Sequence, residues 1–136
     1  MTKVREFHEA FGLPVSERPR IPSVKEINLR AKLIKEEYKE AMYALRVAHY
    51  HSNDELGALV DLAKELADLR YVVEGTAETF GIPLDEVYEI VHQSNMSKLG
   101  SDGKPIHRED GKVLKGPDYF PAEPKIRELL AKCHQS

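Results

Sequence analysis

The chain has 136 residues, which is enough for one domain with a modest hydrophobic core. Hydrophobic residues make up 41% of it and charged residues 32%, as expected of a globular protein whose surface is largely helical. The formal net charge is -3, and no basic tail or stripe is present, which argues against binding to a nucleic acid polymer. We therefore expect a single domain over residues 1–136.

Cysteine content and hydropathy indicate the cytoplasm. Cys133 is the sole cysteine, so no intramolecular disulfide can form, and a reducing compartment fits. Residues 1–12 lack the apolar run of a signal peptide, and no stretch approaches the roughly 18 apolar residues of a membrane-spanning helix. We expect a cytoplasmic protein without membrane contact.

Hydrophobic periodicity predicts helices along most of the chain. A short amphipathic helix covers residues 3–11 and stops at Gly12. After a loop rich in Pro and Arg, Ser23 and Glu26 have the spacing of a capping box and mark the start of a long helix. Apolar residues in this helix recur at alternating steps of four and three and predict one bundle-type seam: Ile27, Ala31, Ile34, Tyr38, Ala41, Leu45 and Ala48.

A break in the pattern separates this helix from a second long helix. Ser52 or Asn53 is the expected N-cap of the second helix, because both side chains accept hydrogen bonds from free helical N–H groups. Gly81 is its expected end. Pro83 marks the start of a third helix, which is expected to reach about Gly100.

The remainder of the chain differs in character. Two Asp-Gly-Lys triplets follow the third helix, and the second of them, at 110–112, favours a small hairpin. A short C-terminal helix is predicted from about 124 to 133. The whole pattern predicts an all-α fold, an antiparallel helix bundle. Three helices with a narrow seam bury little surface alone, so we expect dimerisation of two helical hairpins to complete a four-helix core.

Two groups of acids lie near the middle of the two long helices. If these helices fold back on each other around residues 51 and 52, position 38 lies opposite position 65, and both groups fall at the same height. Acids three residues apart are about 4.5 Å apart along a helix axis. We expect five carboxylates to converge on one patch: Glu36, Glu37 and Glu40 from the first helix, and Glu65 and Asp68 from the second.

A patch of like charges is unfavourable by itself. Two carboxylates about 5 Å apart repel by about 3 kcal/mol at an effective dielectric of about 20. Either some of the acids are protonated or cations lie among them. Carboxylates favour hard ions, so Mg²⁺ fits best and Mn²⁺ is the usual substitute. The alternative is a solvated surface, on which the acids pair with neighbouring cations: Lys32, Lys35, Lys39, Lys64 and Arg70.

The third helix offers donors. A turn near residue 82 puts Asn95 close to the height of Asp68 and Lys98 close to that of Glu65. An amide and an ammonium beside a metal–carboxylate group suit a polyphosphate, because they donate to the oxygens that the metal does not reach.

The two acidic segments have a known counterpart. Glu36-Glu37-x-x-Glu40, followed by Glu65-x-x-Asp68, resembles the metal-binding motif of the MazG-like all-α NTP pyrophosphohydrolases. That superfamily includes dimeric dUTPases and the phosphoribosyl-ATP pyrophosphohydrolase of histidine biosynthesis. Three more segments resemble the phosphoribosyl-ATP pyrophosphohydrolase-like branch, so that the likeness covers most of the chain: residues 7–12, 95–99 and 110–117.

The resemblance implies Mg²⁺-dependent hydrolysis of a (deoxy)nucleoside triphosphate between its α- and β-phosphates, which yields a nucleoside monophosphate and pyrophosphate. The implied role is sanitation of the nucleotide pool, with dUTP, dCTP or a non-standard nucleotide as substrate. The implied assembly is a homodimer or a dimer of dimers. The residues that match metal ligands are Glu37, Glu40, Glu65 and Asp68. Glu36 matches the remaining motif acid, either as a further ligand or as the group that orients the attacking water, and Glu36 and Glu37 are the expected catalytic acids.

Substrate contacts are expected from several polar and aromatic side chains. Asn95 and Lys98 are expected to hold the phosphates or the sugar, and Lys112 and Lys115, on a glycine-bounded loop, to close over the polyphosphate. Aromatic faces stack on bases, and on that ground the candidate base contacts are His8, Phe11, Tyr119 and Phe120. The alternative for these four is ordinary packing in the core or between subunits.

Several rival functions remain open. Phosphoribosyl-ATP pyrophosphohydrolase itself performs the same chemistry on a bulkier nucleotide, and an all-α dUTPase or dCTPase is another candidate. A di-iron carboxylate bundle requires Glu-x-x-His pairs, and neither Glu40 nor Glu65 has a histidine three residues on. No P-loop sequence occurs. A non-enzymatic helical binding module would leave the acids solvated.

Overall fold

Helices dominate the computed structural model, which describes residues 1–50 and 53–135. The predicted all-α class is confirmed. In chain order the helices are α1 (Lys3–Ala10), α2 (Val24–Ala48), α3 (Glu55–Phe80), α4 (Leu84–Met96) and α5 (Glu123–Gln135), and the two short strands are β1 (Ile106–His107) and β2 (Val113–Leu114). None of the described helices is long and apolar enough to cross a membrane.

The chain divides into two compact units, Met1–Ile82 and Pro83–Ser136. The first unit contains α1, α2 and α3, and α2 and α3 form an antiparallel pair. The second unit contains α4, the β-hairpin and α5. The single domain expected for residues 1–136 stays a prediction.

The starts of the two long helices depend on side-chain caps. Ser23 Oγ accepts a hydrogen bond from the Glu26 N–H at 3.2 Å, and Glu26 Oε2 accepts one from the Ser23 N–H at 2.9 Å, so the predicted capping box is confirmed. Helix α3 is capped by Asp54, whose Oδ1 accepts from the Gly57 N–H at 2.9 Å. Asn53 was therefore wrong as the cap, because a carboxylate one residue later also complements the positive end of the helix. Ser52 and the turn at 51–52 lie outside the described residues.

The end of α3 requires glycine. Gly81 has φ 71°, the left-handed conformation that side chains disfavour, and a Cβ there would lie 2.2 Å from the Arg18 carbonyl oxygen. Backbone hydrogen bonds from Ser16 N–H to the Glu78 carbonyl and from Arg20 N–H to the Phe80 carbonyl hold the preceding loop against this helix end. The predicted stop at Gly81 is confirmed.

The stripe of α2 that faces α3 differs from the predicted seam. Ala41 and Ala44 are buried, and so is Arg30, whereas Tyr38 and Leu45 are exposed. Ala31 is exposed as well. These three positions of the predicted seam are therefore not buried within the single chain. Small alanines allow the two backbones to approach, so α2 turns a polar-containing stripe towards α3 and leaves its larger apolar side chains uncovered.

In the second unit, α4 ends at Met96, several residues before the predicted end near Gly100. Lys98 N–H and Leu99 N–H donate to carbonyls three residues earlier, which tightens the chain into turns that leave the α-helix. The predicted hairpin is confirmed: β1 and β2 pair antiparallel, with His107 opposite Val113.

The C-terminal helix was predicted from about 124 to 133, and α5 extends slightly beyond both limits, from Glu123 to Gln135. Its N-terminal acid, Glu123, lies where a negative charge favours the helix.

Candidate metal centre

Three carboxylates from the two long helices meet in the first unit. Glu37 of α2 and Glu65 and Asp68 of α3 each offer an oxygen, and these oxygens all lie within 4.8 Å of one another. All three residues are half-buried. Glu65 and Asp68 occupy successive turns of α3, and Glu37 reaches them because α2 runs antiparallel at this height. The group has the size and the oxygen donors of a site for one divalent cation.

Two oxygens of this group lack a hydrogen-bond partner. Glu37 Oε2 and Glu65 Oε2 are buried, and within residues 1–50 and 53–135 no group bonds to either of them. Buried carboxylate oxygens without a partner are costly, and native proteins rarely leave them so. A cation between the helices would satisfy both atoms. The residues present therefore fit a divalent metal ion.

Glu40 lies next to Glu65 and therefore adjoins the three-carboxylate group. Burial raises the pKa of the Glu65 carboxyl, and its hydrogen bond with Glu40 raises the pKa further, while the nearby Lys64 ammonium opposes the shift. Neighbouring carboxylates disfavour each other's charged form, so the raised pKa of Glu65 reflects the convergence of the acids.

Lys64 provides part of the missing positive charge. Its Nζ lies 2.5 Å from Asp68 Oδ2 and 3.8 Å from Glu65 Oε1, and the bond with Asp68 raises the pKa of Lys64. The surface-pairing alternative is thus realised for this lysine. However, the Lys64 side chain is 67% exposed, and an exposed pair of this kind stabilises little, so the ammonium is readily displaced.

The other cations considered for surface pairing lie on both long helices. Arg70 Nε bonds to Glu74 Oε1 at 2.9 Å. In the part of the chain that the structure describes, none of the α2 lysines forms an ion pair with the acids of α2: Lys32, Lys35 and Lys39.

Two predicted site residues of the first unit lie apart from the three-carboxylate group. Glu36 is exposed on α2. His8 is 2% exposed, and its Nδ1 donates to the Pro14 carbonyl oxygen at 2.8 Å, because a carbonyl only accepts. Its ring thus packs inside the first unit. The catalytic role of Glu36 and the base contact of His8 stay predictions.

Four predicted site residues of the second unit, between positions 95 and 119, make contacts near the end of α4. Lys98 Nζ donates to Asn95 Oδ1 at 3.1 Å, and the Lys98 carbonyl accepts from the Gly116 N–H at 2.8 Å. A Cβ on Gly116 would lie 2.1 Å from the Leu99 carbonyl oxygen, so glycine is required for this approach. Lys115 Nζ lies 4.8 Å from the centre of the Tyr119 ring.

Lys112 lies on the exposed hairpin turn of the second unit, where its N–H donates to Asp110 Oδ1 at 3.1 Å. The glycine before it, Gly111, has φ 85° and permits the turn.

A cleft of about 350 Å³ beside Glu40 and Glu65 was missed by the sequence analysis. Its volume lies in the range of small-molecule sites. Helical spacing carries a signal for it, because Tyr43 and Val47 follow Glu40 by three and seven residues and so share its face. The other lining residues are Lys39, Ala44 and Asp61.

A helical pair that presents convergent carboxylates beside a cleft fits an all-α hydrolase that acts on phosphate anhydrides. The sequence profile of the phosphoribosyl-ATP pyrophosphohydrolase family matches residues 4–95, which include every acid of the group. The chain belongs to the phosphoribosyl-ATP pyrophosphohydrolase family and is a pyrophosphohydrolase enzyme. The resemblance seen in the sequence is confirmed.

One solved structure shows the same fold. It is a crystal structure from Exiguobacterium sp. 255-15, and its name suggests an NTP pyrophosphohydrolase. The TM-score is 0.55 and the identity 24%, and the match covers 95% of this chain and 92% of that chain. At this identity the likeness supports the fold alone. A comparison with curated proteins finds none that matches.

Proposed function

We propose that this protein hydrolyses a (deoxy)nucleoside triphosphate between its α- and β-phosphates and releases a nucleoside monophosphate and pyrophosphate. Mg²⁺ is the proposed cofactor, with Mn²⁺ as a substitute. Membership of the family supports the pyrophosphohydrolase chemistry. The observation that carries the metal requirement is the pair of buried oxygens on Glu37 and Glu65, which no group in the described residues satisfies.

The proposed metal ligands are Glu37, Glu40, Glu65 and Asp68. A divalent ion supplies charge that offsets the phosphate oxygens, and it polarises a water molecule. Glu36 and Glu37 are the proposed catalytic acids. Because Glu36 is exposed on the same stretch of α2, its carboxylate is available to orient water and to accept its proton.

The cleft beside Glu40 and Glu65 supports a nucleotide as the ligand. Its tyrosine, Tyr43, offers an aromatic face of the kind on which bases stack, and its volume of about 350 Å³ suits a small molecule. The proposed role is removal of dUTP, dCTP or a non-standard nucleotide from the pool. The phosphoribosyl-ATP reaction of histidine biosynthesis is the competing substrate assignment within the same chemistry.

A nucleotide panel tests the proposal. The purified protein is incubated with Mg²⁺ and each of dUTP, dCTP, the common nucleoside triphosphates, ITP and phosphoribosyl-ATP, and pyrophosphate and orthophosphate are measured separately. We expect pyrophosphate and monophosphate in equal amounts and no orthophosphate. Glu37→Gln is the control for contaminating hydrolases. Release of orthophosphate, or no turnover of any nucleotide, would contradict the proposal.

Calorimetry with Mn²⁺ separates the enzyme from a helical binding module. The enzyme is expected to bind Mn²⁺, and Glu40→Ala is expected to weaken that binding. Absence of binding in the wild-type protein, or no change in Glu40→Ala, favours the module.

The donors of the second unit are proposed to bind the nucleotide: Asn95, Lys98, Lys112 and Lys115, with Tyr119 at the base. Lys112→Ala and Lys115→Ala are each expected to raise KM about 10-fold with little change in kcat, since one charge-assisted hydrogen bond contributes about 1.5 kcal/mol. Steady-state kinetics measures this. Lys104→Ala, in the other Asp-Gly-Lys triplet, is the matched control. An equal rise of KM in the control would argue against a specific phosphate contact.

A homodimer, or a dimer of dimers, is the proposed assembly. Large apolar side chains on the long helices remain exposed in the single chain, and a second copy would cover them. They include one stripe on α3 with a seven-residue repeat, which a second helical pair would cover: Leu59, Leu66 and Val73.

Leu59→Glu is expected to disrupt this assembly, because a charge in an apolar helix–helix interface is desolvated without a partner. Light scattering at micromolar concentration is expected to give a multiple of 15.5 kDa for the wild-type protein and 15.5 kDa for the variant. Val113→Glu, at an exposed position of the hairpin, is expected to assemble like the wild type. A monomeric wild-type protein would refute the proposal.

A further inference from the structure

Arg30 is a buried cation for which the proposed function has no use. It is 6% exposed, and no carboxylate among the described residues lies within ion-pair distance of it. Instead its guanidinium reaches from α2 to α3, where Nε donates to Thr76 Oγ1 at 3.1 Å and Nη2 donates to the Val72 carbonyl at 2.9 Å. A buried charge without a counter-charge is unfavourable, so its presence indicates a specific task.

The bonds of Arg30 and the carboxylate group belong to one helix register. Glu37 follows Arg30 by seven residues along α2, and Glu65 precedes Val72 by seven residues along α3. The Arg30–Val72 contact and the Glu37–Glu65 contact therefore follow the same antiparallel register, and they lie about 10.5 Å apart along the helices. A slip by one helical turn would move Glu37 by about 5.4 Å along α3. That displacement exceeds the 4.8 Å within which the three carboxylate oxygens lie.

The packing around Arg30 leaves its guanidinium little freedom. A Cβ on Gly75 of α3 would lie 2.6 Å from Arg30 Nη2 and 2.8 Å from His8 Nε2. Glycine is a poor residue for a helix interior, and here it allows two buried polar side chains to approach the backbone of α3. By contrast, the alanines that line the rest of the contact, Ala41 and Ala44, are apolar and small and provide no directional bond.

We propose that Arg30 is a positioning residue that sets the register of α2 on α3 through its bonds to Thr76 and Val72, and so brings Glu37 to Glu65 and Asp68. A single buried polar side chain fixes the register of some helix pairs even where it adds no stability. The inference rests on the proposed function, because it concerns the geometry of the acids that would hold the divalent ion.

Arg30→Met tests this role. Lys32→Met is the matched control, because it removes an exposed cation from the same helix. The variant leaves no acceptor unsatisfied, because Thr76 Oγ1 still donates to the Val72 carbonyl at 2.8 Å. We expect the metal-free Arg30→Met protein to unfold within about 4 °C of the wild type. We expect its affinity for Mn²⁺, measured by calorimetry and by electron paramagnetic resonance of the ion, to fall at least 10-fold, about the loss seen when a metal ligand loses its support.

The outcomes are distinguishable. A folded Arg30→Met protein that binds Mn²⁺ as tightly as the wild type overturns the inference, and so does an equal loss in Lys32→Met. If Arg30→Met does not fold, Gly75→Ala is the deciding variant, because its methyl group displaces the guanidinium. Weakened Mn²⁺ binding in Gly75→Ala supports the inference, and Mn²⁺ binding as tight as in the wild type overturns it. Unfolding of both variants also overturns it, since Arg30 then serves stability. If the wild-type protein itself binds no Mn²⁺, the proposed function fails first.

Discussion

Glu65→Gln is expected to lower kcat for pyrophosphate release by at least about 100-fold, the largest effect of any single substitution proposed for this chain. Loss of a group that merely supports a metal ligand already costs 10- to 100-fold, and Glu65 is at the centre of the group. It belongs to the three-carboxylate cluster with Glu37 and Asp68, and it lines the same cleft as Glu40. The amide keeps the size of the side chain but removes the charge and one acceptor.

The measurement is steady-state kinetics with the preferred nucleotide from the panel, at several Mg²⁺ concentrations. A defect that excess Mg²⁺ partly restores indicates a ligand, whereas a defect that Mg²⁺ does not change indicates a catalytic step. Glu128→Gln is the matched control, because this α5 glutamate is 71% exposed and pairs only loosely with Lys132. Retention of more than a tenth of the wild-type kcat in Glu65→Gln would exclude Glu65 from the metal centre.

The second large effect concerns stability. Saturating Mn²⁺, at about 100 times its dissociation constant, is expected to stabilise the native protein by about 2.7 kcal/mol. For a chain of 136 residues this corresponds to a rise in Tm of about 10 °C. The physical cause is that the ion binds to the two unsatisfied oxygens of Glu37 and Glu65 and offsets the repulsion among the acids.

Differential scanning calorimetry with and without Mn²⁺, and again after addition of EDTA, measures this rise. Glu65→Gln separates the causes. Without metal it is expected to unfold at a higher temperature than the metal-free wild type, because one of the repelling charges is gone. With Mn²⁺ it is expected to lose the rise. An equal rise in wild type and variant would show that Mn²⁺ acts elsewhere on the protein.

Much of the local structure followed from short-range patterns. The capping box of Ser23 and Glu26, the helix stop at Gly81 and the hairpin near Gly111 each depend on residues within a few positions, so their chemistry is visible in the sequence. The exact cap of α3 was missed. Asn53 and Asp54 are adjacent and both suit a helix N-terminus, and only the observed bond to Gly57 distinguishes them.

The height of the acids along the helices also followed from the sequence. A fixed rise per residue and a short connection put positions 37 and 65 at the same level once the helices are antiparallel. The structure brings Glu37, Glu65 and Asp68 together and leaves Glu36 exposed. The height of a carboxylate along the helix follows from its residue number. The direction in which it points depends also on how the helix is rotated about its own axis.

The sequence by itself determined the helical class, the positions of most helix ends and the family, because these depend on local spacing and on a contiguous motif. Only the tertiary structure decided which stripe of α2 faces α3. Arg30 and small alanines lie on that stripe, and Tyr38 faces outwards, because close approach to α3 favours small side chains and a buried hydrogen-bonded guanidinium over a large ring. The rotation of α2 about its own axis depends on the side chains of α3, and that of α3 on the side chains of α2. The sequence of either helix alone therefore does not determine it.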